Sequence, residues 1–244
     1  MRRSVLEPVQ YRNTIRPLQT MTFRTALAAL PLALLLAACG TAEPPAEATH
    51  NLPWQVEILP GGQSRVFGIV PGQTTLLEAK RTLDKKGDVS LFKSADGTLS
   101  LELFYGKTRL GFLDAYLIAE VAASDEQLKM LAERASNPKA QPSGAWKLDL
   151  PFEDYVTIQD WPVRSLTYIP ATVQFDAAML TRRFGAPAER RPIDEGREYW
   201  LYPDKGLVIM LAEKEREIIQ YVAPADFPRL KDKISREPPR SIMD

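Results

Sequence analysis

One cysteine and one histidine in 244 residues, Cys39 and His50, leave no pair for a disulfide and no His/Cys set for zinc. They also exclude Ser-His-Asp or Cys-His machinery unless His50 folds back to serve it. Charge balances at 31 Lys and Arg against 31 Asp and Glu, but residues 1–38 hold five arginines and one glutamate, leaving 26 basic against 30 acidic side chains from Cys39 on. Such a mildly acidic polypeptide lacks the electrostatic footprint of a nucleic-acid binder and is not itself drawn to anionic lipid.

Neither a metal nor a cofactor is expected. Carboxylate pairs remain chemically available, although no spacing singles one out.

Residues 1–20 are polar and contain two prolines, an overlong lead-in to a signal segment. Translation starting at Met21 explains them, and an extended n-region is the alternative. From Met21 the chain reads Arg24, an apolar run from Ala26 to Leu36, then Leu36-Ala37-Ala38-Cys39. The run is far shorter than the ~20 residues needed to span a bilayer. A cation, a short apolar helix and small residues before a cysteine are what a signal segment presents to its processing enzymes.

This stretch resembles the lipobox of bacterial lipoproteins. The resemblance implies a signal peptide over residues 21–38, cleavage between Ala38 and Cys39, and lipid (palmitate among its chains) on Cys39. Gly40, where an aspartate would favour retention in the inner membrane, resembles the default signal for export to the outer membrane. Gly40 to Asn51 is small, polar and proline-bearing, and residues 39–62 read as a lipidated cysteine and flexible tether.

A first α+β unit is expected over residues 63–138. Arg65 to Val70 reads as its leading strand. Thr75 caps a helix from Leu76 to Lys86 that Gly87 stops. Val89 to Lys93 and Thr98 to Tyr105 form a hairpin around Asp96-Gly97, and Leu110 to Val121 is a third strand. Ser124 opens a helix that Asn137-Pro138 ends.

Residues 139–144 (KAQPSG) read as a linker, and residues 145–234 as a second unit. Trp146 to Leu150, Tyr155 to Gln159 and Val163 to Ile169 are strand-like. A helix follows from Val173 to Phe184. Arg197 to Tyr202, Leu207 to Leu211 and Glu217 to Val222 are three strands, Ala225 to Ile234 a closing helix, and residues 235–244 a loose tail. The order strand, helix, three strands, helix thus occurs twice. The expected fold class is α+β: two small units, each an antiparallel sheet with helices packed on one face.

Leu180-Thr181-Arg182-Arg183-Phe184-Gly185-Ala186-Pro187, followed by Tyr199-Trp200-Leu201-Tyr202 and the hairpin from Lys205-Gly206 to Leu211, resembles the SmpA/OmlA (BamE-like) outer-membrane lipoproteins. That family assists the machine that inserts β-barrels into the outer membrane. Tandem units of this kind also resemble the β-lactamase-inhibitor-protein fold, whose members bind other proteins. Both resemblances imply a binding scaffold rather than an enzyme.

Tyr199, Trp200 and Tyr202 are the candidate contact residues, since aromatic side chains dominate binding hot spots; the competing reading places them in the core under a helix. Arg182, Arg183, Arg190 and Arg191 form a basic cluster, suited to a helix C-terminus and also to phosphate. The expected function is a non-enzymatic lipoprotein, anchored on the periplasmic side of the outer membrane, that binds an envelope protein. Its rivals are an envelope hydrolase using a carboxylate pair and a carrier of a small apolar ligand.

Overall fold

The computed structural model describes residues 50–236. The signal segment, Ala38, Cys39 and the tail from residue 237 lie outside them.

After a short hairpin, β1 (Glu57–Ile58) with β2 (Ser64–Arg65), comes α1 (Leu76–Leu83). Thr75 and Glu78 cap it reciprocally, and Asp84 ends it in the left-handed region at φ 45°. Strands β3 (Asp88–Lys93), β4 (Leu99–Leu110) and β5 (Leu113–Val121) form a meander, and α2 (Asp125–Arg134) follows under a Ser124–Gln127 capping box. Then come β6 (Ser136–Ala140), β7 (Trp146–Asp149), α3 (Phe152–Ile158) and β8 (Val163–Pro170).

Asp176 caps α4 (Ala177–Phe184) by accepting from the Met179 amide at 2.6 Å. A second meander, β9 (Glu189–Asp194), β10 (Arg197–Tyr202), β11 (Leu207–Ala212) and β12 (Ile218–Val222), precedes α5 (Phe227–Arg236).

The class is α+β, with ten strands in one antiparallel sheet ordered β6-β7-β3-β4-β5-β8-β12-β11-β10-β9. The two meanders are not separate sheets: β8 pairs with β5 on one side and β12 on the other, so the ladder runs through without a break. Alternate residues then define two faces.

Leu91, Leu101, Leu103, Leu117, Leu166, Tyr168, Ile219, Tyr221, Ile209 and Trp200 share one face, and α1 to α4 pack there with Leu76, Leu131, Ile158, Leu180 and Phe184. On the opposite face α5 lays Phe227, Leu230 and Ile234 on Ile169, Leu201, Val208, Met210, Ile218 and Val222. The two closing helices, α2 and α5, therefore sit on opposite faces. Helices on one face of each unit describes the first meander and not the second.

Several local expectations differ from the structure. Of the expected strand Tyr155 to Gln159, residues Tyr155 to Ile158 are helical, within α3, and Gln159 caps it. Its β-branched and aromatic residues suit a strand locally, but tertiary bonds fix the helix: Asp154 to Arg134 on α2, and Tyr155 Oη to the Val89 carbonyl at 2.9 Å. Residues 139–144 are not a linker. Lys139 and Ala140 belong to β6, and the Gln141–Ala145 turn joins it to β7.

The tether reading does not extend to residue 62. Leu52 and Pro53 are buried, and the Pro53 carbonyl accepts from Tyr221 Oη at 2.7 Å. Arg65 to Val70 is not one strand either. Phe67 (φ 52°) and Gly68 (φ 76°) turn the chain so that Val66 bridges Ile69. The turned Phe67 ring stacks on Tyr168 and meets Tyr221 edge-on, each 5.8 Å away.

Candidate binding surface

Strand β10 lies one in from the sheet edge and is covered on both sides, which decides the fate of the aromatic run. Trp200 and Tyr202 are buried on the α1–α4 face, and Tyr199 on the α5 face. The neighbouring edge strand supplies the cover: Arg190 stands opposite Trp200 and Arg191 opposite Tyr199, with guanidinium carbons 4.1 and 5.7 Å from the rings. Burial pushes the Tyr199 and Tyr202 hydroxyls up to about 12.

Tyr199, Trp200 and Tyr202 are thus core residues and present no contact surface. Three of the four clustered arginines lie on aromatic rings, and Arg182 is exposed. Arg183 caps Trp54 at 4.6 Å, and Arg191 also donates to Ser235 on α5 at 2.8 Å. Arg183, Arg190 and Arg191 all stack on aromatic rings. Cys39 and Ala38 lie outside the described residues.

The surface that stays open is the α5 face beyond the reach of α5. There β3 contributes Phe92 beside a buried Ser90, β4 Ser100, Glu102 and Phe104, β5 Ile118 and Glu120, and β8 Ser165 and Thr167, while Tyr116 of β5 packs against the α5 core. Phe92, Phe104 and Ile118 belong to neither buried core, and Phe104 is 39% exposed. Three apolar side chains at partly open positions of adjacent strands make an apolar patch beside α5, whose Lys233 lies near enough to Glu102 to favour its charged form.

An acidic pair crosses the middle of this patch. Glu102 and Glu120 are directly opposed in the β4–β5 register, which places their Cβ atoms about 5 Å apart. Glu102 accepts from Ser100 Oγ at 2.7 Å. Burial raises its carboxyl above the ordinary carboxylate range, the Ser100 bond opposes this, and the facing Glu120 adds to it. Glu120 accepts from Arg164 Nη1 at 3.3 Å and Ser165 Oγ at 3.0 Å, and Arg164 is further fixed on the Ala123 carbonyl at 3.0 Å. Like charges facing each other repel, and Lys233 on α5 offsets part of that repulsion at Glu102.

The two sheet edges offer less. Edge strand β6 carries Pro138 and Asn137 at φ 50° beside a register shift, and edge strand β9 carries Pro192 beside another. Proline, bulges and charge blunt both edges against an added strand.

Among the described residues no group of three or more His, Cys, Asp or Glu is placed to hold a metal. No helix there is long and apolar enough to cross a membrane.

The open patch did have a sequence signal. Leu101-Glu102-Leu103-Phe104-Tyr105 and Leu117-Ile118-Ala119-Glu120-Val121 alternate, but with Phe104 and Ile118 on what should be the wet side. No protein-family model, no curated protein and no solved structure matches the chain.

Proposed function

We propose that this protein is an outer-membrane lipoprotein, held on the periplasmic side through lipid on Cys39, that binds an envelope protein as a non-enzymatic assembly factor of BamE-like type. Two units built on the two meanders are the finer form of the same reading, each a scaffold for half of the sheet.

The observation that carries it is the uncovered half of the α5 face. A rigid antiparallel sheet presents Phe92, Phe104 and Ile118 around the Glu102–Glu120 pair, while both edges are blunted. This suits a partner that lays apolar side chains on the strands and offers a donor or cation to the carboxyls. The lipobox supports the anchor, and the anchor raises the effective concentration of both partners on one membrane. The segment from Leu180 to Tyr202 supports the family reading. There Phe184 is buried, Gly185 ends α4 at φ 86°, and Tyr202 Oη bonds the Gly185 carbonyl at 3.0 Å.

The opposed carboxyls favour a second reading, an envelope hydrolase, since burial raises the Glu102 carboxyl above its ordinary range and Arg164 pairs with Glu120 at 3.3 Å.

In-cell crosslinking of tagged wild-type and Cys39→Ala protein, then pull-down in mild detergent, separates these readings. The scaffold reading expects one envelope protein recovered with wild type and lost with Cys39→Ala. Hydrolysis of an envelope polymer by purified protein, abolished in Glu102→Gln, with no recovered protein, would overturn it.

A further inference from the structure

The sheet has a second open region, at one end of its strands. The β4–β5 hairpin tip, the β8–α4 connection and the β11–β12 loop all emerge there, as the antiparallel registers require. Phe112 at the hairpin tip is 46% exposed, and Val173 in the β8–α4 connection is 40% exposed. Trp54 sits between the two segments, its ring centroid 6.3 Å from both Phe112 and Phe175. Arg183 covers the indole at 4.6 Å. The connections are tied together: the Ala171 amide donates to the Asp114 carbonyl at 2.8 Å, and Arg216 donates to the Pro170 carbonyl at the same distance.

Trp54 is also where the chain enters the fold. Pro53 beside it is pinned by Tyr221, and lies fourteen residues on from Cys39. That length reaches at most about 50 Å fully extended and about 20 Å as a coil. A lipid on Cys39 would thus be tethered to the fold through this end of the sheet.

From the aromatic tip, the stacked guanidinium and the position of the chain's entrance, we propose that this end rests on the phospholipid surface, with Trp54, Phe112 and Val173 seated at the headgroup level. The proposal rests on the lipid anchor at Cys39 proposed above. Indole and phenyl groups favour the membrane interface, and the guanidinium stacked on Trp54 places its charge beside the indole at headgroup level. Charges of both signs meet at this end: Arg109 stands opposite Asp114, which Lys107 approaches at 3.9 Å, and the β11–β12 loop carries Glu213 and Glu215 with Lys214 and Arg216, so apolar insertion supplies the contact. The polypeptide alone has little tendency to bind lipid, and the anchor makes weak contacts sufficient. The strands then stand on the membrane, and the open half of the α5 face looks sideways along it.

The test uses full-length lipidated protein, purified from membranes and reconstituted into phosphatidylethanolamine–phosphatidylglycerol vesicles with or without brominated acyl chains. Tryptophan emission is read alongside vesicle flotation. Brominated chains are expected to quench wild-type emission, with the quenching gone in Trp54→Phe and at least halved in Phe112→Asp. Flotation without quenching attributable to Trp54, or quenching from another tryptophan, overturns the proposal and leaves the anchor standing. Failure of the wild-type protein to float overturns the anchor and the proposal together. If Phe112→Asp leaves the quenching intact but loses a captured protein, this end is a protein-binding surface and the proposal is wrong.

Discussion

Glu217 is fully buried at the start of the second meander's last hairpin, and neither carboxyl oxygen has a hydrogen-bond partner among the described residues. Its own amide and that of Phe175 lie close and favour the charged form, without the geometry of formed bonds. Burial outweighs them and raises the carboxyl above its ordinary range. The folded state thus holds this proton more tightly than the unfolded chain. The cost of charge is absent below the ordinary carboxylate range, grows as pH rises through the raised value, and is complete above it.

Glu217→Gln is therefore expected to raise stability on the order of 1 kcal/mol at pH 8 and to change little at pH 4, as read by urea unfolding at both. Glu102 is shifted in the same direction, so a residual slope persists in the variant. At Gly206, φ is 61° and a Cβ would run into the Val222 carbonyl, which follows the amide bonded to the Gly206 oxygen at 2.8 Å. Gly206→Ala is expected to lower the melting temperature sharply, since both backbone conformation and space oppose it.

At the scale of elements, the contacts that join α2 to α3 and the N-terminal segment to the sheet are the ones the sequence did not announce. Arg134 donates from Nε and Nη2 to the two oxygens of Asp154 at 3.1 and 2.6 Å, and Asp154 is buried. Arg134→Ala leaves that carboxylate unpaired, and a loss of about 1–3 kcal/mol in denaturant unfolding is expected. Phe67 plugs the sheet between Tyr168 and Tyr221, so Phe67→Ala is expected to cost about 3–5 kcal/mol by the same measurement.

The first meander, three strands of the second, four of the five helices and the caps at Thr75 and Ser124 were legible in the sequence, because local propensity and periodicity agree with the fold there. Helix α3 was not, since Tyr155, Val156 and Ile158 prefer a strand until Asp154 and Tyr155 find partners far away in sequence. Nor were β6 and β9. Pro138 read as a helix terminator, and Pro138 in β6 and Pro192 in β9 are accommodated because both strands are sheet edges. The expected site failed for a related reason. Nothing local in Tyr199-Trp200-Leu201-Tyr202 shows that α5 and the arginines of β9 close over both sides. Ser124-led α2 and Ala177-led α4 look alike as sequence, yet the second face of the sheet is covered by α5 alone, over β8 to β12.

At the scale of the molecule, a continuous ten-stranded sheet is covered on one face by α1 to α4, except at the exposed edge strand β6, and on the other by α5 over part of its width. The half-covered face leaves Phe92, Phe104 and Ile118 unclaimed by either core, and that half is the proposed seat of an envelope protein partner. Phe104→Glu is expected to leave the melting temperature within a few degrees of wild type, because the ring supports no core cluster, and to abolish partner recovery. The most direct measurement is site-specific photocrosslinking in cells, with the photoreactive residue placed at Phe104 or, as a control on an exposed helix face, at Val156. A partner seated on the open half gives one discrete crosslinked envelope protein from Phe104, none from Val156, and loss of the Phe104 product in Cys39→Ala. Equal products from both positions, or a Phe104 product that survives without Cys39, would contradict it.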